Sequence, residues 1–234
     1  MMNYRVDPAL LANYLPPGVE LDFHESETYL SLVAFLFLHT RILGLAVPRH
    51  RDFEEVNLRF YVRRKSADTW RRGVCFIREI VPRRAIAAVA RVFYGEPYLA
   101  LPMKSEIVHR DGEVKVEYGW RRGTKWETLA MSATGDPVAS KAGSHEEFIT
   151  EHYWGYTKVR AGCSEYRVGH PRWKIWPATS ATLKADVAKL YAQEFTATLS
   201  APPVSKFIAE GSDVQVWRKS NDPILAEAIA ATRN

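Results

Sequence analysis

Strict alternation of apolar and polar side chains is the clearest pattern in the sequence, and it predicts β-strands. The alternation is cleanest in residues 55–62, EVNLRFYV. One face of this predicted strand is apolar and carries Val56, Leu58, Phe60 and Val62. The opposite face is polar and carries Glu55, Asn57, Arg59 and Tyr61. Residues 28–42 are mostly apolar, which predicts a strand buried on both faces, and residues 73–81 predict another strand.

Helical spacing is confined to a few segments. Asp7 precedes a proline and predicts a short capped helix. Residues 83–95 place their apolar side chains on one helical face, which predicts an amphipathic helix. Ser144 and Glu147 form a capping box that predicts the start of a further helix. A last helix is predicted within residues 184–192.

Turn signals join the strands into hairpins. Asp111 and Gly112 separate two predicted strands and are typical of a tight hairpin turn. Strands in hairpins with few helices between them predict an α+β fold, with a mainly antiparallel sheet that forms a closed or half-closed barrel and a few peripheral helices. We expect one domain over residues 1–218 and a tail over residues 219–234 that contains a short helix.

Composition narrows the class of protein. The chain has 234 residues, of which 47% are apolar, enough for a sizeable core. It has two cysteines without a CxxC pair, which disfavours a disulfide framework or a zinc site and fits a reducing compartment. The N-terminus lacks a signal-peptide pattern, and the longest apolar run, residues 29–38, is about half the ~20 residues of a membrane span. We expect a cytoplasmic protein with no membrane contact, metal or cofactor. The sequence does not decide whether the protein forms a homo-oligomer.

The net charge of +5 is concentrated in short basic stretches, two of which read WRRG. Arginines beside tryptophan can hold phosphates and stack bases. No helix-turn-helix, zinc-finger or RNP pattern accompanies them, so the sequence disfavours a nucleic-acid partner. We expect the four WRRG arginines to be solvated at hairpin ends: Arg71, Arg72, Arg121 and Arg122.

Lys104 is a candidate amine for carbonyl chemistry. A catalytic amine needs a lowered pKa, which comes from desolvation or from a neighbouring cation. Alternation instead places Lys104 on the polar face of its strand, beside Glu106. Met103 falls on the apolar face with Leu99 and Leu101. From the residues alone, Lys104 is interpreted as a solvated lysine.

The polar face of residues 55–62 has two interpretations. In an open sheet it would lie in water, whereas in a barrel it would line the interior and form a binding site. Glu55 and Arg59 lie about 13 Å apart along the strand, so they pair directly only at full stretch. We therefore expect Arg59 to meet either a carboxylate from another strand or a bound anion, with Asn57 and Tyr61 fixing that partner.

The histidines give weaker signals. His145 and His152 lie seven residues apart without the spacing of a zinc protease, so a helix surface is the favoured interpretation. His170 lies beside Pro171 and Trp173 and is interpreted as a buried histidine that holds a turn. The sequence contains no nucleophile elbow and no glycine-rich phosphate loop.

The order of several motifs resembles the YqjF-like family, whose function is unknown. The motifs are NYRVDPALLANYLPPGVELD, EVNLRFYV, GVCFIREI, YGEPYLALPM, TEHYWGY and VGHPRW, and the resemblance covers about residues 3–176. That family in turn looks like a distant relative of acetoacetate decarboxylase. The resemblance implies a cone-shaped, mainly antiparallel barrel with an active site inside.

The resemblance also assigns provisional roles. The decarboxylase nucleophile is the first lysine of a Pro-Lys-Lys triplet, and the matching triplet here is Pro102-Met103-Lys104. By this resemblance Met103 occupies the nucleophile position and Lys104 fills only the second lysine position. In the decarboxylase a glutamate precedes the strand before the GV segment, and Glu55 is its nearest match. A shared fold does not imply a shared activity when the nucleophilic lysine is replaced.

Three hypotheses for function follow. The leading one is a small polar or anionic organic ligand in the barrel interior, contacted by Asn57, Arg59, Tyr61 and Met103. The second is a decarboxylase-like or aldolase-like enzyme that uses Lys104 and Glu55 on a carbonyl substrate. The third is a binder of nucleic acid or of an acidic partner through the basic turns.

Overall fold

The computed structural model describes residues 1–38, 41–42, 45–46, 52–66, 69–83, 97–159 and 162–218. The strands of the first half are β1 Met2–Val6, β2 Glu20–Leu21, β3 Thr28–Phe37, β4 Arg41–Ile42, β5 Leu45–Ala46, β6 Phe53–Ser66, β7 Thr69–Val81 and β8 Tyr98–Ala100. Those of the second half are β9 Met103–Arg110, β10 Glu113–Arg122, β11 Lys125–Thr134, β12 Val138–Ala139, β13 Trp154–Val159, β14 Gly162–Gly169, β15 Lys174–Lys184, β16 Ser205–Ala209 and β17 Gln215–Arg218.

Helices are short in the described residues. They are α1 Pro8–Leu11, α2 His145–Thr150, α3 Val187–Leu190 and α4 Thr196–Ser200, with 3₁₀ turns at Ala12–Tyr14 and Gln193–Phe195. Asp7 caps α1, and Ser144 caps α2 by accepting a hydrogen bond from the Glu147 amide, as the sequence predicts. Residues 84–95 of the predicted helix and the tail over residues 219–234 lie outside the described residues. None of the described helices is long and apolar enough to cross a membrane.

Fifteen of the described strands form one sheet, which is mostly antiparallel. Its strand order is β17-β14-β13-β7-β6-β3-β1-β16-β15-β11-β10-β9, with β12 on β15, β2 on β6 and β8 on β7. Strands β7 and β13 pair in parallel, as do β7 and β8. Asp111 and Gly112 form the turn between β9 and β10 with φ angles of 53° and 75°, which confirms the predicted hairpin.

The expectation of a closed barrel is wrong, because the ladder of strands is open in the part of the chain that the structure describes. The break lies between β8 and β9. The Leu101 amide still donates to Val81 of β7 at 3.0 Å, whereas the Pro102 carbonyl accepts from Arg121 of β10 at 2.9 Å. The chain thus leaves β7 and joins β10 within two residues, and Pro102 has no N–H with which to continue the first ladder.

The two faces of the sheet pack against different parts of the protein. The apolar face of β6 belongs to the main core, which also contains Trp120, Leu129 and the residues around α3; we call this the core face. The opposite face, here called the outer face, is covered by α2, and Tyr61 packs there against Phe148 and Ile149. Alternation in β6 and around β8 is confirmed: Leu99, Leu101 and Met103 pack on the main core, and Tyr98 and Ala100 pack in a small outer cluster.

Candidate ligand-binding site

A β-bulge in β7 breaks the alternation of that strand. Leu58 of β6 pairs with Arg78, but the next residue, Arg59, pairs with Phe76, so Ile77 is the extra residue. Cross-strand partners point to the same side of a sheet, so Arg78 shares the core face with Leu58. Ile77 also packs in the main core. The bulge therefore directs an arginine onto a face that regular alternation would reserve for apolar residues.

Arg78 is half-buried and has no carboxylate partner among the described residues. Its Nε is buried without a hydrogen-bond partner, and Arg78 makes no ion pair within the described ranges. Its charge acts on two tyrosine hydroxyls, those of Tyr14 and Tyr191. A guanidinium in such surroundings loses hydration without gaining a counter-charge, so this position favours an anion.

Tyr191 carries a buried hydroxyl on which the charge of Arg78 acts. It follows α3, is 5% exposed, and its hydroxyl has no hydrogen-bond partner among the residues described. Burial raises the pKa of Tyr191, and the charge of Glu127 adds to the effect while that of Arg78 opposes it. The phenol therefore stays protonated and can donate a hydrogen bond. A cation and a neutral O–H donor together suit a carboxylate.

Another polar group on the core face lies where β6 approaches β9. Ser105 donates a hydrogen bond to Oε1 of Glu54 at 3.1 Å. Burial raises the pKa of Tyr118 to about 12, with the charge of Glu54 as a further cause. Tyr118 pairs with Ser105 across β9 and β10, and Met103 pairs with Trp120. Met103 therefore lies on the core face, next to a fully buried tryptophan.

The predicted site residues of β6 lie on the outer face instead. Glu55 and Asn57 are 3% and 2% exposed. The Asn57 amide donates to Oε1 of Glu55 at 2.9 Å, and the Tyr98 hydroxyl donates to Oε2 at 3.1 Å. Oδ1 of Asn57 is buried and has no partner in the described part of the chain.

Tyr61 belongs to a separate series of side-chain hydrogen bonds. Its hydroxyl lies 2.5 Å from the Ser31 hydroxyl, which donates to Oδ1 of Asn3 at 2.6 Å, and Asn3 donates to Ser205 at 2.8 Å. Since Ser31 donates to Asn3, Tyr61 donates to Ser31. The predicted hydrogen bond from Tyr61 to a ligand would have to compete with this series.

Arg59 is half-buried beneath the end of α2. Its Nη2 donates a long hydrogen bond to the Ile149 carbonyl at 3.4 Å, and its guanidinium carbon lies 5.7 Å from the centre of the Tyr61 ring. Nε of Arg59 is buried without a partner, and none of the described carboxylates forms an ion pair with it. Of the two partners expected for Arg59, a structural carboxylate is therefore absent from the described residues.

Lys104 is exposed on the side of β9 that faces away from the main core. Its Nζ lies 4.9 Å from the centre of the Trp126 ring. The structure therefore does not bring the two residues of the enzyme hypothesis together, because Glu55 is buried on the outer face and Lys104 is exposed at the surface. Met103, a residue of the ligand hypothesis, lies on the core face.

The expectation of solvated WRRG arginines is wrong for three of the four. Arg71 pairs with Glu165 at 2.7 Å, Arg72 with Asp22 at 2.6 Å, and Arg122 with Glu127 at 3.1 Å. All three carboxylates are buried, at 8%, 5% and 7% exposure. A buried carboxylate requires a counter-charge, and strand ends brought together by the fold supply it. Arg121 is exposed, as expected, beside Trp126.

His152 is also placed differently from the expectation of a helix surface. The helix α2 ends at Thr150, and His152 turns inward to 7% exposure, with Nε2 lying 3.0 Å from Oδ2 of Asp22. Burial lowers the pKa of His152 to about 4, and the hydrogen bond that His152 donates to Asp22 opposes this shift. Burial alone would raise the pKa of Asp22, but hydrogen bonds from His152 and Arg72 bring it below its usual value.

The other two histidines of the sequence analysis pack against aromatic rings. His145, on α2, is half-buried and lies edge-on to Tyr29 at 4.5 Å between ring centres. His170 is half-buried rather than buried, and it stacks on Trp173 at 3.9 Å. Three or more histidine, cysteine, aspartate or glutamate side chains do not converge on a metal site anywhere in the described ranges.

Sequence reasoning missed Arg78 and Tyr191. Regular alternation from Cys75 through Ile77 sends Arg78 to the outer face, and the bulge reverses this. The sequence does carry a signal, because the next core residue is Ile80, three positions after Ile77 rather than two. Tyr191 follows a helix of four residues and has no local pattern that marks its hydroxyl as unused.

Comparison with known proteins agrees with this architecture. A family model named DUF2071, described as an uncharacterised conserved protein, matches residues 1–213. The uncharacterised protein YqjF of Bacillus subtilis (strain 168) is 28% identical over 177 residues, which cover 74% of this chain and 70% of that protein.

Solved structures of the acetoacetate decarboxylase type share the fold. The acetoacetate decarboxylase of Legionella pneumophila has a TM-score of 0.55 and 15% identity, covering 99% of this chain and 84% of that one. An acetoacetate decarboxylase-like enzyme of Sphingomonas wittichii RW1 has a TM-score of 0.55 and 16% identity, covering 89% and 82%. The enduracididine biosynthesis enzyme MppR, complexed with pyruvate, has a TM-score of 0.55 and 13% identity, covering 91% and 86%.

Proposed function

The chain belongs to the DUF2071 family of uncharacterised conserved proteins, and we propose that this member binds a small organic carboxylate on the core face of its sheet, at Arg78 and Tyr191. The observation that carries the proposal is the Arg78 guanidinium beside the main core, whose Nε is buried without a partner and which forms no ion pair with any described residue. A ligand carboxylate would supply the counter-charge that the described protein residues do not.

The surroundings of Arg78 define the ligand further. Leu58 and Ile77 are buried beside it, so the remainder of the ligand would meet apolar side chains. Tyr191 would donate a hydrogen bond to a second carboxylate oxygen. A short acid with an apolar body fits these groups better than a phosphate or a sugar, which needs many hydrogen-bonding partners.

The names of two structural neighbours include small molecules of the class proposed here, organic carboxylates. MppR has been solved with pyruvate, and acetoacetate decarboxylase is named for its substrate. Both molecules are short oxo acids. At 13–16% identity the likeness supports the fold alone, so the choice of a carboxylate rests on Arg78 and not on the neighbours.

We do not extend the proposal to a Schiff base. The Lys104 amine lies in solvent over Trp126, whereas a catalytic amine needs desolvation or a neighbouring cation. We also do not propose nucleic-acid binding, because Arg71, Arg72 and Arg122 are engaged by buried carboxylates.

The experiment is calorimetric titration of the protein with pyruvate, acetoacetate and propionate. We expect saturable binding of at least one acid, weakened at least about tenfold by Arg78→Met, because that change removes a charge-assisted hydrogen bond. Arg121→Met is the matched control: it removes the same charge from an exposed position and should leave the affinity unchanged. Equal affinities in the Arg78→Met variant and the unmodified protein would refute the site.

A further inference from the structure

We propose a second ligand site on the outer face of the same sheet, formed by Arg59, Asn57 and His152, that takes a small 2-hydroxycarboxylate. This site shares no residue with the one at Arg78. Strand β6 contributes to both sites, through Leu58 on one face and through Asn57 and Arg59 on the other.

Three buried polar atoms at this place have no partner within the described residues. They are Nε of Arg59, Oδ1 of Asn57 and Nδ1 of His152. Asn57 and His152 are 2% and 7% exposed, so water does not readily solvate these atoms. Buried polar atoms are almost always hydrogen-bonded, and three unsatisfied ones in one region indicate a missing partner.

The donor and acceptor roles of the three atoms follow from their neighbours. Arg72 approaches Oδ2 of Asp22 at 2.6 Å and keeps that carboxylate ionised, so Nε2 of His152 must carry the hydrogen in its bond to Asp22. In the neutral ring, Nδ1 is then an acceptor. The Asn57 amide nitrogen donates to Glu55, which leaves its oxygen as an acceptor. Arg59 offers only donors.

The Arg59 and His152 side chains lie beside one aromatic ring, that of Tyr61. The Arg59 guanidinium carbon is 5.7 Å from the centre of the Tyr61 ring, and the His152 ring centre is 4.8 Å from it. Asn57 lies two positions before Arg59 on the same face of β6, a separation of about 7 Å. Since the Tyr61 hydroxyl is held by Ser31, its ring acts here as an apolar wall.

The ligand must complement one cationic donor and two neutral acceptors. A carboxylate meets Arg59, and a hydroxyl on the adjacent carbon donates to Asn57 or His152. Arg59 is the most exposed of the three residues, so the carboxylate end is the one next to solvent. An acid that lacks the hydroxyl would leave the acceptor that this hydroxyl meets unsatisfied, and sites built on buried hydrogen bonds discriminate strongly against such analogues.

Lactate and propionate test this inference, because they differ by the hydroxyl alone. Both are titrated into the unmodified protein and into the Arg78→Met variant, which lacks the guanidinium of the core-face site. We expect lactate to bind at least about tenfold more tightly than propionate in the Arg78→Met protein. Equal affinities for the two acids, or no binding of lactate, would overturn the second site whatever happens at the first.

Two substitutions then locate the binding. Arg59→Met should remove lactate binding, and His152→Gln, whose amide can still donate to Asp22, should reduce the preference for lactate over propionate. Preference that survives both changes would overturn the assignment. The comparison of the two acids on the unmodified protein stands even if a variant fails to fold. Failure of the core-face proposal is recognised separately, by pyruvate or propionate affinity that does not respond to Arg78→Met.

Discussion

Arg59 and Arg78 lie on neighbouring strands at the same bulge, and they point to opposite faces of the sheet. Leu58, the residue before Arg59, is the cross-strand partner of Arg78. Neither arginine forms an ion pair within the described residues, and Nε of each is buried without a hydrogen bond. A single extra residue in β7 therefore separates two unpaired cations onto two surfaces, and each surface is a candidate for its own anion.

The first prediction concerns the stability of the unliganded protein. Arg78→Met replaces an unpaired, half-buried charge beside the main core with an apolar side chain of similar length. We expect the free energy of unfolding to rise by about 1 to 2 kcal/mol, because an uncompensated charge opposes folding. Urea denaturation measures this. A decrease in stability would mean that Arg78 has a favourable structural partner.

The second prediction concerns Lys104. Incubation with acetoacetate or acetone followed by borohydride reduction should give no covalent adduct, since Lys104 is exposed over Trp126 and lacks the desolvation that a catalytic amine needs. Mass spectrometry of the intact and digested protein detects the adduct. A mass increase located on Lys104 would restore the enzyme hypothesis.

The third prediction concerns the pH dependence of stability. The pKa of His152 is lowered to about 4 in the folded protein, from 6.5 in the unfolded chain. Below pH 6.5 the unfolded state therefore binds the proton more readily, so stability falls between pH 6.5 and pH 4, by about 3 kcal/mol for this group. His152→Gln should lose this component while other groups still titrate. Identical pH profiles for the two proteins would contradict the burial of a neutral His152.

The fourth prediction separates the paired arginines from the exposed one. Arg72→Gln leaves Asp22 buried with weaker compensation and should cost about 1 to 3 kcal/mol in the free energy of unfolding. Arg121→Gln, which removes the same charge from an exposed side chain, should change it by less than about 0.5 kcal/mol. Thermal or urea unfolding of the two variants decides the matter, and equal effects would be inconsistent with the Arg72–Asp22 ion pair.

Local patterns predicted much of the fold. Alternation placed Val56 and Leu58 on one face of β6, the Asp111–Gly112 turn joined β9 to β10, and Ser144 capped α2. Each of these features depends on residues close together in the chain, so sequence periodicity and turn chemistry carry the information.

The candidate sites were less predictable because they depend on distant contacts. Arg78 reaches the core face through a bulge defined by pairing with another strand. Asp22 binds Arg72 and His152, which lie 50 and 130 residues away in the sequence. Residues predicted to lie at the surface therefore contact a buried carboxylate. The polar face of β6 was identified correctly, but a sequence cannot say which side of the sheet α2 covers.

The passage of the chain from β7 to β10 affects how the protein moves. At Leu101 and Pro102 the sheet is joined by one main-chain hydrogen bond to each neighbour instead of a continuous ladder. Breaking two such bonds requires far less free energy than unzipping a pair of full strands, so local opening should be concentrated here. Met103 follows at once, on the core face. In native-state hydrogen exchange, the Leu101 amide should therefore be less protected than the central amides of β6. The same local opening would let a small molecule reach the core face, which a closed barrel would prevent.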